Sequence, residues 1–318
     1  MPLPTPAAAA LREAGLACAE DVPLARKTWW RAGGPADGYV EVDTLDALRA
    51  VQAIALRLDL PVFPLGNASN LLISDAGIRG LVIRLTGALA QVTAAGSPPL
   101  LTIGAGAKLV PLITRAQREG WTGLEPLAGV PGTLGGAVCM NAGTRLGEIR
   151  DVLVDVHLVL RGGDEQTLPR DALQMRYRHS VLPAGAVLAS ARLQTTGADP
   201  DQSRAEIAEH LAYRARTQPV DVPTCGSTFR NPPGDSAGRL IEATGLKGAR
   251  IGGAVVSDKH ANFLVNTGDA TASDLAALIR HIQQRVADAH GVWLEPEVHF
   301  AGDWAAPPAL GNPSARDI

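Results

Sequence analysis

Residues 127–143 read LAGVPGTLGGAVCMNAG, and the fold class follows from the kind of loop that they form. Small residues at this density let backbone N–H groups converge on an anion without a side chain in the way. A shorter stretch of the same kind, PLGNASNLL, covers residues 64–72. Two such loops suit a bound pyrophosphate. The other interpretation of each loop is a tight turn with no ligand.

Helices and strands alternate irregularly on both sides of these loops. Apolar spacing and capping residues predict helices over residues 44–58, 108–119, 202–216, 235–244 and 271–290. Short apolar or alternating runs predict strands over residues 60–65, 80–85, 100–104, 152–160, 187–193 and 292–300. This order lacks the regular β-α-β alternation of a doubly wound sheet, and we expect an α+β protein.

The elements group into three predicted domains. The first covers residues 1–95, the second 96–197 and the third 198–300. A strand near residues 297–303 can return to the first domain. We expect residues 304–318, which are rich in Ala and Pro, to form a disordered tail.

Composition indicates a globular protein. The 318 residues are 46% hydrophobic and 19% charged, with a net charge of −3, which argues against a disordered chain. This balance gives no support to binding of nucleic acid or of an anionic membrane. No apolar stretch reaches the roughly 18 residues that span a bilayer. We expect a cytoplasmic protein without an obligate protein partner.

Several common site motifs are missing. The three cysteines, Cys18, Cys139 and Cys225, are too widely spaced for a disulfide framework or a metal knuckle, so no metal is expected. No P-loop or HExxH motif occurs. Residues 104–109 begin like a dinucleotide fingerprint, but Leu109 stands at its third glycine position.

A set of motifs in a fixed order, from residue 28 to residue 300, carries a resemblance. They are TWWRAGGPA (28–36), LGNASNLLISD (65–75), GVPGTLGGA (129–137), YRHS (177–180), CGSTFRNP (225–232), IGGAVVSDKHANF (251–263) and LEPEV (294–298). Together they resemble the UDP-N-acetylenolpyruvoylglucosamine reductase (MurB) family. The match covers nearly the whole chain.

This resemblance implies an α+β, three-domain flavoprotein. Its first two domains would form a vanillyl-alcohol-oxidase-type (PCMH-like) pair that holds FAD non-covalently, and its third domain would bind the sugar nucleotide. The implied reaction uses NADPH as hydride donor. It reduces the enolpyruvyl ether of UDP-N-acetylglucosamine to the lactyl ether during peptidoglycan precursor synthesis.

The cofactor residues implied by the resemblance lie in the two glycine loops. They are Gly66, Asn67, Ala68, Ser69, Asn70, Gly129, Pro131, Gly132, Thr133, Gly135, Gly136, Asn141 and Gly143. Two departures stand out: the 66–69 loop has fewer glycines than the family's, and Arg145 replaces part of an Ala-Tyr-Gly segment, so its contact with FAD is expected to differ. The short stretch between Arg178 and Ser227 resembles the branch without a substrate-capping tyrosine.

The chemistry of the implied reaction needs a cation, a proton donor and a group that holds the enol form. By resemblance these are Arg178, Ser227 and Glu297, in that order. Without the resemblance, Arg178 and Ser227 would be interpreted as a packing residue and a turn residue. The predicted strand over residues 292–300 places Trp293, Glu295, Glu297 and His299 on one face. Glu295, on the same face, is interpreted as a residue that faces solvent.

Substrate contacts are expected from four further residues: Tyr177, Asn231, His260 and Asn262. Arg230 could meet the UDP phosphates or remain solvated. Cys225, close to the proposed proton donor, is rejected as a nucleophile because the sequence places no base beside it.

Two other functions compete with the reductase. One is another non-covalent FAD oxidoreductase or oxidase of the same fold. Such enzymes often attach flavin to a His or Cys, but nothing in this sequence marks an attachment residue, although Cys139 lies in a glycine loop. The other is a nucleotide-binding or scaffold protein without enzymatic activity, which would be purified without a flavin spectrum.

Overall fold

The computed structural model describes residues 3–304. Its α-helices are α1 Thr5–Glu13, α2 Leu45–Arg57, α3 Leu109–Glu119, α4 Leu134–Cys139, α5 Pro200–Thr217, α6 Ala237–Ala243 and α7 Ala272–His290. Its strands are β1 Cys18–Pro23, β2 Pro35–Val42, β3 Val62–Pro64, β4 Leu71–Ile73, β5 Ile78–Leu85, β6 Val92–Ala95, β7 Leu100–Gly104, β8 Gly143–Thr144, β9 Gly147–Glu148, β10 Leu153–Val159, β11 Glu165–Pro169, β12 Val187–Gln194, β13 Arg250–Ile251, β14 Ala254–Val256, β15 Leu264–Asn266 and β16 His299–Ala301.

The strands form sheets of different kinds. A five-stranded antiparallel sheet has the order β11-β10-β12-β7-β6, and a four-stranded sheet has the order β1-β2-β5-β3, with β3 parallel to β5. Smaller sheets are β13-β14-β15, β8-β9 and the parallel pair β16-β4. The mixture of helices with mainly antiparallel strands is the predicted α+β class.

The chain divides into two compact units. The first takes in the described chain up to Asp21, then Asp37–Asn67 and Gly80–Tyr213. The second takes in Val22–Ala36, Ala68–Arg79 and the described residues from Arg214 onward. The division into three domains stays a prediction.

The first unit is organised around the five-stranded sheet. Buried residues of β7, α3, α4 and β10 share one apolar cluster, to which Leu101, Leu112, Leu134 and Val156 belong. Gly120 ends α3 in a left-handed conformation with φ +71, as its position in the sequence predicts. Because β7, α3 and α4 share this cluster, the second glycine loop is attached to the core of the unit.

In the second unit, the longest helix is α7. A capping box between Thr271 and Asp274 starts it, and Gly291 ends it with φ +68, both as predicted. Its predicted apolar face is buried: Leu275, Leu278, Ile279, Ile282 and Val286. This face supports the segments that carry the site residues of the unit.

The predicted strand over residues 292–300 is wrong for most of its length. Only β16, His299–Ala301, is a strand, and Pro296 forms an isolated bridge with Phe229. Proline has no backbone N–H to donate, so it interrupts the ladder. The single face predicted for Trp293, Glu295, Glu297 and His299 therefore does not form: Glu295 and His299 are exposed, whereas Trp293 and Glu297 are half-buried.

Two helices are absent from the sequence prediction, and both lie in stretches of small residues. They are α1, in an alanine run, and α4, which has Gly135 and Gly136 among its first three residues. Trp304, the first residue of the predicted tail, donates its Nε1–H to the Ala301 carbonyl at 2.9 Å. Residues 305–318 lie outside the described residues.

Candidate active site

The second glycine loop turns into α4 at Thr133. The Thr133 hydroxyl accepts a hydrogen bond from the Gly136 amide at 3.5 Å, so it caps the helix. The amide of Gly135 donates to the Ala105 carbonyl at 2.8 Å, and a Cβ added to Gly135 would lie 3.2 Å from Ala105. Gly135 therefore packs against the end of β7, and its N–H is already used within the protein.

The first glycine loop meets the second in the first unit. A Cβ added to Gly66 would lie 2.6 Å from the Thr133 hydroxyl, which is closer than real contacts allow. The Asn67 side-chain amide donates to the Pro131 carbonyl. Glycine at position 66 therefore leaves room for the Thr133 hydroxyl where the two loops touch.

Gly136 has more room in its side-chain direction than Gly66, Gly135 or Gly143. An added Cβ would have the Thr133 hydroxyl, at 3.8 Å, as its nearest neighbour outside the helix. Gly143, by contrast, would clash with the Gly147 carbonyl at 2.2 Å. Gly129 has φ +72, a conformation that glycine adopts without strain. Gly132 lies in the loop, where its carbonyl accepts from the Leu109 amide at 3.1 Å.

The rest of the first loop, Ala68, Ser69 and Asn70, belongs to the second unit. Ala68 has φ +47. The Asn70 side chain donates to the Glu297 carbonyl at 3.1 Å, and the Asn70 carbonyl accepts from the His299 amide at 3.0 Å. Asn70, predicted to touch FAD, thus holds the segment that contains Glu297.

Asn141 is fully buried in the first unit, where its side-chain amide makes several hydrogen bonds. Its Nδ2 donates to a Glu148 carboxylate oxygen at 2.8 Å and to the Arg176 carbonyl at 3.0 Å. Its Oδ1 accepts from the Arg150 amide at 3.3 Å. Both ends of the amide are engaged with protein, and they fix the backbone two residues before Arg178.

Tyr177 and Arg178 form the tip of a turn. The backbones of Arg176 and His179 exchange hydrogen bonds of 2.9 and 3.0 Å across its base. Arg178 has φ +53, is half-buried, and donates from Nη2 to the Gly143 carbonyl at 3.1 Å. Its guanidinium lies 4.9 Å from the centroid of the Tyr177 ring. The structure therefore places this cation at the end of the second glycine loop.

Ser180 contacts helix α4, and the sequence did not predict this contact. Its hydroxyl lies 2.8 Å from the carbonyls of both Val138 and Cys139, at the last turn of α4. Because carbonyls at a helix end lack partners within the helix, this hydroxyl ties the Arg178 turn to α4. The YRHS motif contained the signal, although no role was assigned to its serine.

Arg145 is held on helix α5. Its Nη2 donates to the Glu209 carboxylate at 2.8 Å, and its guanidinium lies 5.3 Å from the Tyr213 ring centroid. These contacts attach the β8-β9 hairpin to α5. Arg145, which departs from the family pattern, therefore has partners within the protein: the Glu209 carboxylate and the Tyr213 ring.

Ser227 lies on a segment of the second unit that Asn262 holds. The Asn262 carbonyl accepts from the Thr228 amide at 2.8 Å. The Asn262 side chain accepts from the Phe229 amide at 2.9 Å and donates to the Phe229 carbonyl at 2.8 Å. Ser227 itself is half-buried and follows Gly226, which has φ +76.

Glu297 lies on the neighbouring segment of the same unit. Its amide donates to the Thr228 carbonyl at 2.8 Å, and the Arg230 amide donates to the Glu295 carbonyl at 2.9 Å. The second unit thus brings the backbones of Ser227 and Glu297 onto adjacent segments. Arg178 belongs to the first unit.

Two further predicted substrate residues lie near α6. Asn231 accepts through Oδ1 from the Ala237 amide at 3.1 Å, at the start of that helix. The His260 Nδ1 accepts from the Asn262 amide at 3.2 Å. Burial, and then the nearby Lys247 ammonium, lower the pKa of His260 below its usual value. The ring is therefore neutral at neutral pH and carries its proton on Nε2.

Cys225, two residues before Ser227, is chemically quiet in this environment. Its thiol is buried and contacts the Leu71 carbonyl at 3.6 Å, and burial raises its pKa to about 12. Such a thiol stays protonated at neutral pH, so it is a poor nucleophile.

Neither a metal centre nor a membrane span is found in the described part of the chain. Over residues 3–304, no group of three or more His, Cys, Asp or Glu side chains is arranged to hold a metal ion. In the same range, no helix has both the length and the apolar character needed to cross a bilayer.

Two protein-family models match this chain, one in its N-terminal part and one in its C-terminal part. Residues 218–301 match the family model described as UDP-N-acetylenolpyruvoylglucosamine reductase, C-terminal domain, and residues 36–168 match the model described as FAD binding domain. The UDP-N-acetylenolpyruvoylglucosamine reductase of Agathobacter rectalis is 41% identical over 296 residues, covering 90% of this chain and 94% of the relative. The same-named protein of a Synechococcus species is 46% identical over 292 residues, with the same coverage.

A solved structure agrees with these matches. The crystal structure of UDP-N-acetylenolpyruvylglucosamine reductase (MurB) from Thermus caldophilus is 36% identical, has a TM-score of 0.78, and covers 90% of this chain and 98% of that one. The α+β flavoprotein fold expected from the sequence is confirmed.

Proposed function

This chain belongs to the UDP-N-acetylenolpyruvoylglucosamine reductase family, and from that premise we propose that it reduces the enolpyruvyl ether of UDP-N-acetylglucosamine to UDP-N-acetylmuramate. The observation that carries the proposal is identity of 41% and 46% to reductases over 90% of the chain. The reaction serves peptidoglycan precursor synthesis. We place it in the cytoplasm, with NADPH as hydride donor, the UDP-sugar as substrate and no obligate protein partner.

The donor set of the two glycine loops fits FAD. Gly66, Asn67, Thr133 and Gly136 bring small and uncharged polar groups together without a carboxylate, which suits a pyrophosphate; the Asn67 amide and the Gly136 N–H also donate to the Pro131 carbonyl and the Thr133 hydroxyl. Within this set, the open side of Gly136 is the position for close approach. FAD held by these loops would supply the hydride chemistry that links NADPH to the CH2 carbon of the substrate alkene.

Arg178 binds the carboxylate of the enolpyruvyl group. Hydride addition at the CH2 carbon places negative charge on the adjacent carbon and its carboxylate, and a guanidinium stays charged and can hold both carboxylate oxygens. The contact of Arg178 with the Gly143 carbonyl and the bonds of Asn141 around the turn support this role because they hold the side chain before substrate arrives.

Ser227 donates the proton that completes the reduction. The C–H bond forms at the carbon next to the carboxylate as the O–H bond of Ser227 breaks, and solvent returns the proton to serine. A serine hydroxyl is a weak acid, so its position must be well defined. The hydrogen bonds around Thr228 and Phe229 supply that definition.

Glu297 hydrogen-bonds the enol form of the intermediate. Its backbone bond to Thr228 supports a role beside Ser227. If Glu297→Gln kept nearly full turnover at saturating substrate, Glu297 would not have this role. Tyr177, Asn231 and His260 are the candidate substrate contacts, and Arg230 is a candidate for the UDP phosphates.

The test of the function is identification of the product. Purified protein is incubated with the enolpyruvyl sugar nucleotide and NADPH, and the product is analysed by mass spectrometry. We expect one NADPH consumed per product that carries two additional hydrogen atoms. Oxygen-dependent peroxide formation without that product would favour the oxidase alternative. Acid precipitation separates the two further: yellow colour in the supernatant indicates non-covalent flavin, whereas a yellow pellet indicates attachment.

A further inference from the structure

The two neighbours of Ser227 differ in burial: Gly226 is half-buried, whereas Thr228 is fully buried. Before the serine, Gly226 adopts φ +76, and a Cβ added there would meet no atom within 4 Å. A side chain at position 226 would therefore have room, although Cys225 before it is buried, with its thiol 3.6 Å from the Leu71 carbonyl. After the serine, Thr228 is fully buried and Phe229 is 1% exposed. The direction of the Ser227 hydroxyl thus depends on how the 228–229 backbone is held.

Asn262 holds that backbone through three hydrogen bonds. Its own carbonyl accepts from the Thr228 amide, and its side-chain amide both accepts from and donates to the Phe229 backbone, at 2.9 and 2.8 Å. Such a reciprocal pair resembles the pairing of two sheet strands and orients the two peptide groups on either side of Phe229. Asn262 is 3% exposed, so both ends of its amide are engaged away from solvent.

The same segment is attached to Glu297. The Thr228 carbonyl accepts from the Glu297 amide at 2.8 Å, while the Thr228 amide donates to Asn262. One residue therefore links the serine segment to the glutamate segment, and Asn262 sets its orientation.

We propose that Asn262 is a positioning residue that aims the Ser227 hydroxyl for proton transfer, rather than a residue that contacts the substrate. This inference rests on the proposed function. An asparagine is required because the Phe229 backbone needs both a donor and an acceptor. Aspartate offers only acceptors and alanine offers neither, so their effects can be ranked in advance.

The test separates the two half-reactions by anaerobic stopped-flow absorbance of the flavin. Asn262→Ala is expected to slow reoxidation by the enolpyruvyl sugar nucleotide roughly tenfold to a hundredfold at saturating substrate, since a misplaced general acid loses most of its contribution. Reduction by NADPH should remain within about twofold, because it needs no proton from Ser227. Asn262→Asp keeps the acceptor for the Phe229 amide and should be slowed less; it also serves if the alanine variant fails to fold.

The decisive comparison is a double-mutant cycle. If Asn262 acts through Ser227, the double variant Ser227→Ala/Asn262→Ala reoxidises no more slowly than Ser227→Ala alone. Additive losses would overturn the proposal. A raised KM with normal reoxidation at saturation would also overturn it, because that result indicates a substrate contact.

Asn266 provides a matched control in the same unit. It is also 3% exposed, and its side chain bonds the Trp30 carbonyl at 2.7 Å and the amides of Gly268 and Ala270 at 2.8 and 3.0 Å. Asn266→Ala should lower thermal stability without the selective loss of reoxidation. If Asn266→Ala showed the same selective loss of reoxidation, the effect at Asn262 would be structural and the proposal would be overturned. If wild-type protein is neither reduced by NADPH nor reoxidised by substrate, the proposed function fails before any variant is compared.

Discussion

The amide of Glu297 donates a hydrogen bond of 2.8 Å to the carbonyl of Thr228, the residue that follows Ser227. This bond joins the segments that carry the proposed proton donor and the proposed enol-binding carboxylate. Neither segment is part of a long regular strand, so their alignment depends on a few specific bonds. Changes at these bonds should therefore affect chemistry more than folding.

Ser227→Ala should abolish most product formation while leaving the flavin bound. Loss of a general acid typically lowers the rate by about a hundredfold or more. Turnover is measured by product formation, and flavin content by the absorbance of the purified variant. Ser273→Ala is the control, because the Ser273 hydroxyl bonds the Asp75 carboxylate at 2.6 Å at the start of α7. Equal turnover of the two variants would contradict the assignment of Ser227.

Arg178→Lys should lower kcat/KM for the enolpyruvyl substrate roughly tenfold or more, although the charge is kept. An ammonium cannot bind both carboxylate oxygens in the planar fashion of a guanidinium. Bleaching of the flavin by NADPH should be unaffected. Arg192→Lys is the control and should keep wild-type kinetics, because the half-exposed Arg192 side chain pairs with the buried Asp155 carboxylate. A wild-type kcat/KM for Arg178→Lys would show that the guanidinium does not bind the carboxylate.

Alanine at two loop glycines should separate folding from cofactor binding. Gly66→Ala forces a Cβ to within 2.6 Å of the Thr133 hydroxyl, and overpacking of this kind costs about 1–3 kcal/mol. Gly136→Ala places a Cβ 3.8 Å from the Thr133 hydroxyl, an ordinary contact, and should preserve thermal stability, yet lower the FAD content, because its Cβ occupies the side proposed for the pyrophosphate. Full flavin content in Gly136→Ala would exclude that side as the FAD site.

His260 should contribute a pH-dependent part of the stability. Burial, followed by the Lys247 ammonium, lowers its pKa in the folded protein, while the Glu242 carboxylate opposes the shift. As the pH falls through the usual value of 6.5, the unfolded chain takes up a proton that the folded chain excludes, so stability is lost. The melting temperature of wild type should therefore fall more between about pH 7.5 and about pH 5.5 than that of His260→Gln. Equal decreases would show that His260 does not carry this dependence.

Much of the fold was predictable because its signals are local. Thr271, Asp274 and Gly291 mark the ends of α7 by capping chemistry that operates within a few residues of sequence. The predicted strand over residues 292–300 failed because its alternating pattern is also produced by a segment that Pro296 excludes from a ladder. Helix α4 was missed because its glycines have low helix propensity, and packing against Ala105 overrides it.

The site was predictable in its residue types but not in their contacts. The motifs containing Arg178, Ser227 and Glu297 are visible in sequence, and two of these residues lie on adjacent segments of one unit. Asn141 and Asn262 were predicted to contact ligands. In the structure, their side-chain amides donate hydrogen bonds to backbone carbonyls 35 and 33 residues away in the chain. Such partners are set by tertiary structure, and local sequence carries no signal for them.

The most direct test of the account is an anaerobic absorbance titration of the purified protein. NADPH should bleach the flavin spectrum, and the enolpyruvyl sugar nucleotide, added without oxygen, should restore it in a one-to-one ratio. A purified protein without a flavin spectrum, or a bleached flavin that the enolpyruvyl sugar nucleotide leaves reduced, would contradict the assignment of this chain as the reductase.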